Sequence, residues 1–172
     1  MSRAVTTRNV HRGWGSPLRV LCVDDDPLVL ESTVRALTGF DIISVGDSRQ
    51  ALDRLINQRD IDVIVSDVMM PNMTGPDLYV ACYRHSPELA RRFVFVTGDI
   101  PGARELIDAA LRSAQGAGQP LPFGPPTLLA KPIQNSALVV AIASVAASLP
   151  APSAASQSVL KPRKHAMRIS SF

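Results

Sequence analysis

A chain of 172 residues with 46% hydrophobic content has room for one domain of ordinary size with short tails. Two cysteines, Cys22 and Cys82, are too few for a disulfide framework and read as small buried apolar residues of a reduced compartment. The net charge of +3 belongs to the ends: Arg3, Arg8 and Arg12 in 1–17 and Lys161, Arg163, Lys164 and Arg168 in 151–172 have no acid beside them, so the part between is acidic on balance.

Residues 1–17 lack the apolar run of a signal peptide. The most apolar stretch, 137–149, is shorter than a membrane span and rich in Ala and Ser, so it reads as a packed helix. A cytoplasmic protein with no membrane span is the expectation. Ala, Ser and Pro dominate 150–158, so the expected organisation is a basic flexible tail at 1–17, one domain at 18–149, and a basic, disordered tail at 150–172. Basic tails can also hold nucleic acid, but such contacts give only non-specific, salt-sensitive affinity.

In chain order, the run Arg19-Val20-Leu21-Cys22-Val23 predicts a first strand ending in Asp24-Asp25-Asp26. Asp26 suits an N-cap and Pro27 the first helical position of the helix that follows. Leu28, Leu30, Val34 and Leu37 are expected to form its apolar face, and Gly39 to end it. A short strand, Ile42-Ile43-Ser44-Val45, precedes a helix near 48–58 with Leu52, Leu55 and Ile56 inward. The run 61–66 ends in Asp67, and Pro and Gly make 69–76 a loop before a helix at about 77–85. Phe93-Val94-Phe95-Val96 ends in Thr97-Gly98, and a helix near 102–114 carries Leu106, Ile107, Ala110 and Leu111. Residues 115–126 read as a loop, 127–130 as the last strand ending in Lys131-Pro132, and 134–148 as a helix with Leu138, Ile142, Val145 and Leu149 at helical spacing. Apolar strands alternating with helices predict an α/β fold, a doubly wound five-stranded parallel sheet with helices on both faces, its strands buried on both sides.

In such a sheet the functional crevice lies at the carboxyl ends of the strands. Asp24, Asp25, Asp67, Thr97 and Lys131 all fall there. Three carboxylates close together repel unless a cation joins them, and an oxygen-only site with room for water suits Mg²⁺. Asp67 is the candidate nucleophile, able to take a phosphoryl group as an acyl phosphate. Lys131 offers a compact ammonium to a phosphoryl oxygen, and Thr97 a hydroxyl hydrogen bond, although a strand-end threonine more often bonds locally.

These residues carry a resemblance. Val20-Leu21-Cys22-Val23-Asp24-Asp25-Asp26-Pro27, the stretch from Val65 to Gly75 around Asp67, Phe95-Val96-Thr97-Gly98-Asp99 and Leu129-Ala130-Lys131-Pro132 together resemble the response-regulator receiver domains of two-component phosphorelays. The resemblance implies a flavodoxin-like receiver fold. It implies that Asp67 is the phosphoacceptor, that Asp25 ligates Mg²⁺ directly and Asp24 through water, and that the Met69 carbonyl contacts the metal. It further implies phosphate contacts from Thr97 and Lys131 and a cis bond before Pro132. The Thr-Gly-Asp variant resembles receivers fused to hybrid histidine kinases more than those fused to DNA-binding domains.

The implied function is a single-domain response regulator phosphorylated by a histidine kinase or histidine phosphotransfer protein. It would signal to a downstream protein not named by the sequence, without being an enzyme beyond self-catalysed phosphoryl transfer and autodephosphorylation. Only 151–172 remains after Pro150, so no DNA-binding output domain is expected. Alternatives are a phosphorylation-independent adaptor or a receiver segment related to a hybrid kinase. A phosphatase of the haloacid-dehalogenase type is disfavoured, because no Asp or Glu follows Lys131. Leu128 stands where the family often has an aromatic switch residue and is expected to stay buried or half-buried. Pro101 and Gly102 are expected to hinge a 98–102 loop.

Overall fold

The computed structural model describes residues 16–58, 60–115 and 124–149. The strands are β1 (Arg19–Val23), β2 (Asp41–Val45), β3 (Val63–Asp67), β4 (Phe93–Thr97) and β5 (Thr127–Ala130). The helices are α1 (Pro27–Ala36), α2 (Ser48–Asn57), α3 (Gly75–His85), the single turn α4 (Pro87–Ala90), α5 (Ile100–Gln115) and α6 (Asn135–Ser148). The strands form one parallel sheet in the order β2-β1-β3-β4-β5. The order reverses between β1 and β3, and a crevice opens outside their carboxyl ends.

Alternate side chains of each central strand face opposite ways, which splits the core in two. Leu21, Val23, Ile64, Phe93 and Phe95 pack under α2, α3 and α5, against Ala51, Leu55, Leu78, Tyr79, Ala103 and Ile107. Val20, Cys22, Val63, Val65, Val94 and Val96 pack under α6, against Leu138, Ala141, Ile142 and Val145. Each such fully buried aliphatic side chain contributes about 1.5–3 kcal/mol relative to exposure. Burial pushes both cysteine thiols up to about 12, as expected of inert core residues. At the amino edge of the sheet, Arg19 ties β1 to Asp41 at 2.7 Å and to Asp60, while its N–H donates to Asp62 at 2.7 Å.

Asp26 caps α1 by accepting from the Leu28 N–H at 2.8 Å, Pro27 opens the helix, and Gly39 takes a φ of 98° just past its end. The inward face of α1 differs from the expectation. Leu28 is 73% exposed and Val34 is also exposed, whereas Leu37 and Thr33 are buried and Leu30 is half-buried. The stripe therefore runs through Leu30, Thr33 and Leu37, and Leu28 sits in the first turn, at the sheet's carboxyl edge. Ile56 and Leu106 likewise turn outward, because Ala51 and Leu55 in α2 and Ala103, Ile107 and Leu111 in α5 already fill the inward positions. As edge strands, β2 and β5 are only partly buried, so the expectation of strands covered on both faces holds for the central three.

Helix α3 begins two residues early, since Thr74 and Asp77 form a reciprocal capping box. Helix α5 begins at Ile100, so Pro101 and Gly102 lie in its first turn and do not hinge a loop. Of the expected 115–126 loop, Gln115 closes α5, 124–126 are irregular, and 116–123 lie outside the described residues. The tails 1–15 and 150–172 also lie outside them. Among the described residues no helix is long and apolar enough to cross a membrane.

Candidate phosphoacceptor site

Three strand ends deliver the site. Asp67 is the last residue of β3, level with Val96 of β4, and Asp24 follows β1 directly. Lys131 follows β5, and its N–H donates to the Thr97 carbonyl at 2.7 Å, extending the β4–β5 ladder by one step. The Lys131–Pro132 peptide bond is cis, as the resemblance implied.

The Lys131 ammonium lies 2.6 Å from Asp67 Oδ1 and 3.3 Å from Asp24 Oδ2. Each carboxylate residue is only 7% exposed. The second oxygen of each is also engaged: Asp67 Oδ2 accepts from the Met69 N–H at 2.8 Å, and Asp24 Oδ1 from the Asp26 N–H at 2.9 Å. Burial pushes the Asp24 carboxyl above its ordinary value and the charge of Asp67 pushes it further, while the Asp26 N–H and Lys131 draw it back without cancelling the rise. Burial pulls Lys131 down, but the hydrogen bond and charge of Asp67, with those of Asp24, outweigh it and hold the ammonium above its ordinary value.

The expected set of three adjoining carboxylates is only partly drawn together. Asp24 and Asp67 share Lys131, whereas Asp25 is exposed to solvent. Among the described residues no three Asp, Glu, His or Cys side chains converge as a metal cage. Met69 reaches Asp67 through its N–H, and its side chain is 64% exposed at the site's rim. Thr97 is 4% exposed, and its hydroxyl bonds locally: it accepts from the Asp99 N–H at 3.1 Å and donates to the Asp99 carbonyl at 3.2 Å. Leu128 is half-buried against the core beneath α5.

Several supporting residues carried no strong signal in the sequence. Gly75 opens α3 directly over β3, where a Cβ would stand 2.2 Å from the Asp67 carbonyl oxygen. Buried Ser48, the first residue of α2, donates to the Met73 carbonyl at 2.8 Å and so braces the β3–α3 loop from below. In that loop Asn72 adopts a φ of 64°, a conformation asparagine tolerates better than most residues.

The response regulator receiver domain family matches residues 20–143. The chain is 28% identical over 128 residues to the transcriptional regulatory protein GlrR of Escherichia coli, covering 73% of this chain and 26% of that protein. It is 38% identical over 82 residues to the probable transcriptional regulatory protein TcrX of Mycobacterium tuberculosis, covering 46% of this chain and 35% of that protein. It thus spans about a quarter to a third of these relatives. Among solved structures, the Vibrio cholerae chemotaxis protein CheY4 superposes with a TM-score of 0.59 at 26% identity, covering 74% of this chain and 98% of that one. A receiver domain protein from Clostridium thermocellum gives a TM-score of 0.58 at 24% identity, covering 76% and 94%, a likeness of fold. The family match takes in Asp24, Asp67, Thr97 and Lys131 together, and the chain belongs to the response regulator receiver domain family.

Proposed function

We propose that the chain accepts a phosphoryl group on Asp67 from a phosphohistidine of a histidine kinase or histidine phosphotransfer protein, and signals its state by protein contact. The observation that carries this reading is the Lys131 ammonium 2.6 Å from a buried strand-end carboxylate with a second buried carboxylate beside it. In the transfer, an Asp67 oxygen attacks phosphorus as the phosphorus–nitrogen bond of the donor breaks, and the imidazole leaves. The Met69 N–H holds one Asp67 oxygen and so fixes the carboxylate plane. Lys131 balances charge that moves from carboxylate to phosphoryl oxygens. In this reading the chain is itself the acceptor of the phosphoryl group.

The donor types suit Mg²⁺, and Asp25 would turn in beside Asp24 and Asp67 to complete the set. It is oxygen-only, and burial together with a like charge raises Asp24, the condition that a hard divalent cation relieves. Asp24, Asp25, Asp67 and the Met69 carbonyl would hold the ion. When bound, it supplies charge neutralisation and an anchor for phosphoryl oxygens. Thr97 would reach a phosphoryl oxygen only after leaving Asp99. Incubation with acetyl phosphate and Mg²⁺ tests the reading: one phosphoryl group should be added, and none in Asp67→Asn. A chain that takes up none would favour the phosphorylation-independent adaptor.

A further inference from the structure

The Thr97 hydroxyl is buried, and both of its hydrogen bonds go to the backbone of one residue, Asp99. Asp99 is occupied three further ways. Its carbonyl accepts from the Ala103 N–H at 3.0 Å, the first turn of α5. Its carboxylate Oδ1 accepts from the Gly102 N–H at 3.1 Å, the geometry of an N-cap. The same carboxylate lies so close to the Gly102 Cα that a Cβ there would stand 2.3 Å from Oδ2. The helix start and the threonine hydroxyl therefore share one clamp, and a side chain at Gly102 would have to turn the exposed Asp99 carboxylate aside.

A buried hydroxyl cannot drop its partners without replacing them. Both bonds of the Thr97 hydroxyl are spent on Asp99, so a contact to a phosphoryl group on Asp67 would have to replace one of them. We infer that Asp99 is a positioning residue for Thr97: its side chain caps α5 and stiffens the turn whose backbone parks the hydroxyl away from the phosphoacceptor. Moving Thr97 onto a phosphoryl oxygen then loosens the cap of α5, so the clamp sets how much phosphoryl binding must supply before α5 responds. This rests on the reading of Asp67 as phosphoacceptor.

Two measurements on the full chain test it. The first is a stability cycle in urea. Gly102→Ala should stabilise the wild type less than an Asp99→Ala background, because the new methyl group turns the exposed Asp99 carboxylate aside and costs the cap. In an Asp99→Ala background the same change should stabilise, because alanine is the better helix former once the clash has gone. Equal effects in both backgrounds would overturn the clamp. The second is the affinity for beryllofluoride with Mg²⁺, measured by calorimetry. Asp99→Ala should bind about fivefold more tightly, the equivalent of one lost N-cap of ~1 kcal/mol. Asp99→Asn, an equally good cap, should restore wild-type affinity. Unchanged or weaker binding by Asp99→Ala overturns the inference alone. Absence of binding by the wild type overturns the phosphoacceptor reading and this inference with it.

Discussion

Lys131 Nζ lies 2.6 Å from Asp67 Oδ1 and holds a second, longer contact of 3.3 Å with Asp24 Oδ2. One ammonium thus separates two buried like charges. Removing it leaves both carboxylates uncompensated. Lys131→Met should destabilise the protein by about 1–2 kcal/mol in urea. That is less than the ~3–5 kcal/mol of a fully buried pair, because the lysine side chain is one-third exposed and screened. Adding Asp24→Asn should recover part of the loss. No loss in Lys131→Met would mean that water, and not lysine, neutralises the pair.

The same pair sets a pH dependence. Asp24 is raised in the folded state, first by burial, so the native protein holds a proton that the unfolded chain releases at lower pH. Stability should therefore fall as pH rises from the ordinary carboxylate value through the raised one. Lys131 is also raised, so its contribution is complete below its ordinary value of 10.5 and is lost above it. Melting curves in metal-free buffer should show both slopes. Asp24→Asn should flatten the acid one and Lys131→Met the alkaline one.

Mg²⁺ should raise the melting temperature by mass action, by about 2.7 kcal/mol of stability at a hundredfold excess over Kd. Asp25→Ala should abolish that rise while leaving metal-free stability within ~0.5 kcal/mol, since Asp25 is exposed to solvent. A large metal-free loss in Asp25→Ala would assign it a structural role in the β1–α1 turn.

Gly75 and Gly98 offer a matched contrast. A Cβ at Gly75 would meet the Asp67 carbonyl at 2.2 Å and Phe95 at 3.0 Å, and the carbonyl belongs to a central strand that cannot yield. Gly75→Ala should cost about 1–3 kcal/mol despite the helix preference of alanine, and should slow phosphorylation by shifting Asp67. A Cβ at Gly98 meets nothing within 4 Å, so Gly98→Ala should fold as well as wild type to within ~0.5 kcal/mol. Circular dichroism melts of the two variants compare them directly.

The sheet, its parallel sense and the residues at its carboxyl edge were legible because each central strand is a short apolar run that stops at a polar residue. Asp24, Asp67 and Lys131 meet as that pattern implied. Helix faces were less legible. In α1 a buried Thr33 takes a position that hydropathy gave to Val34, since a threonine methyl can pack where its hydroxyl finds room. The start of α5 was missed for a similar reason: Pro101 and Gly102 look like a break, yet proline suits a first helical turn, and the Gly102 N–H donates to the Asp99 carboxylate that caps it. The local bonding of Thr97 was an open alternative in the sequence, and the spacing Thr-Gly-Asp allowed it without requiring it. The brace from Ser48 to the β3–α3 loop joins residues 25 positions apart, and no local pattern encodes such a contact.

The central claim is that Asp67 itself carries the phosphoryl group. Borohydride reduces an acyl phosphate to the alcohol, so phosphorylated protein that is reduced and mapped by peptide mass spectrometry reports the position of the bond. Treatment with acetyl phosphate and Mg²⁺ should place homoserine at position 67 and leave Asp24 and Asp25 unmodified. Homoserine at position 24 or 25, or its absence from every aspartate, would contradict the account.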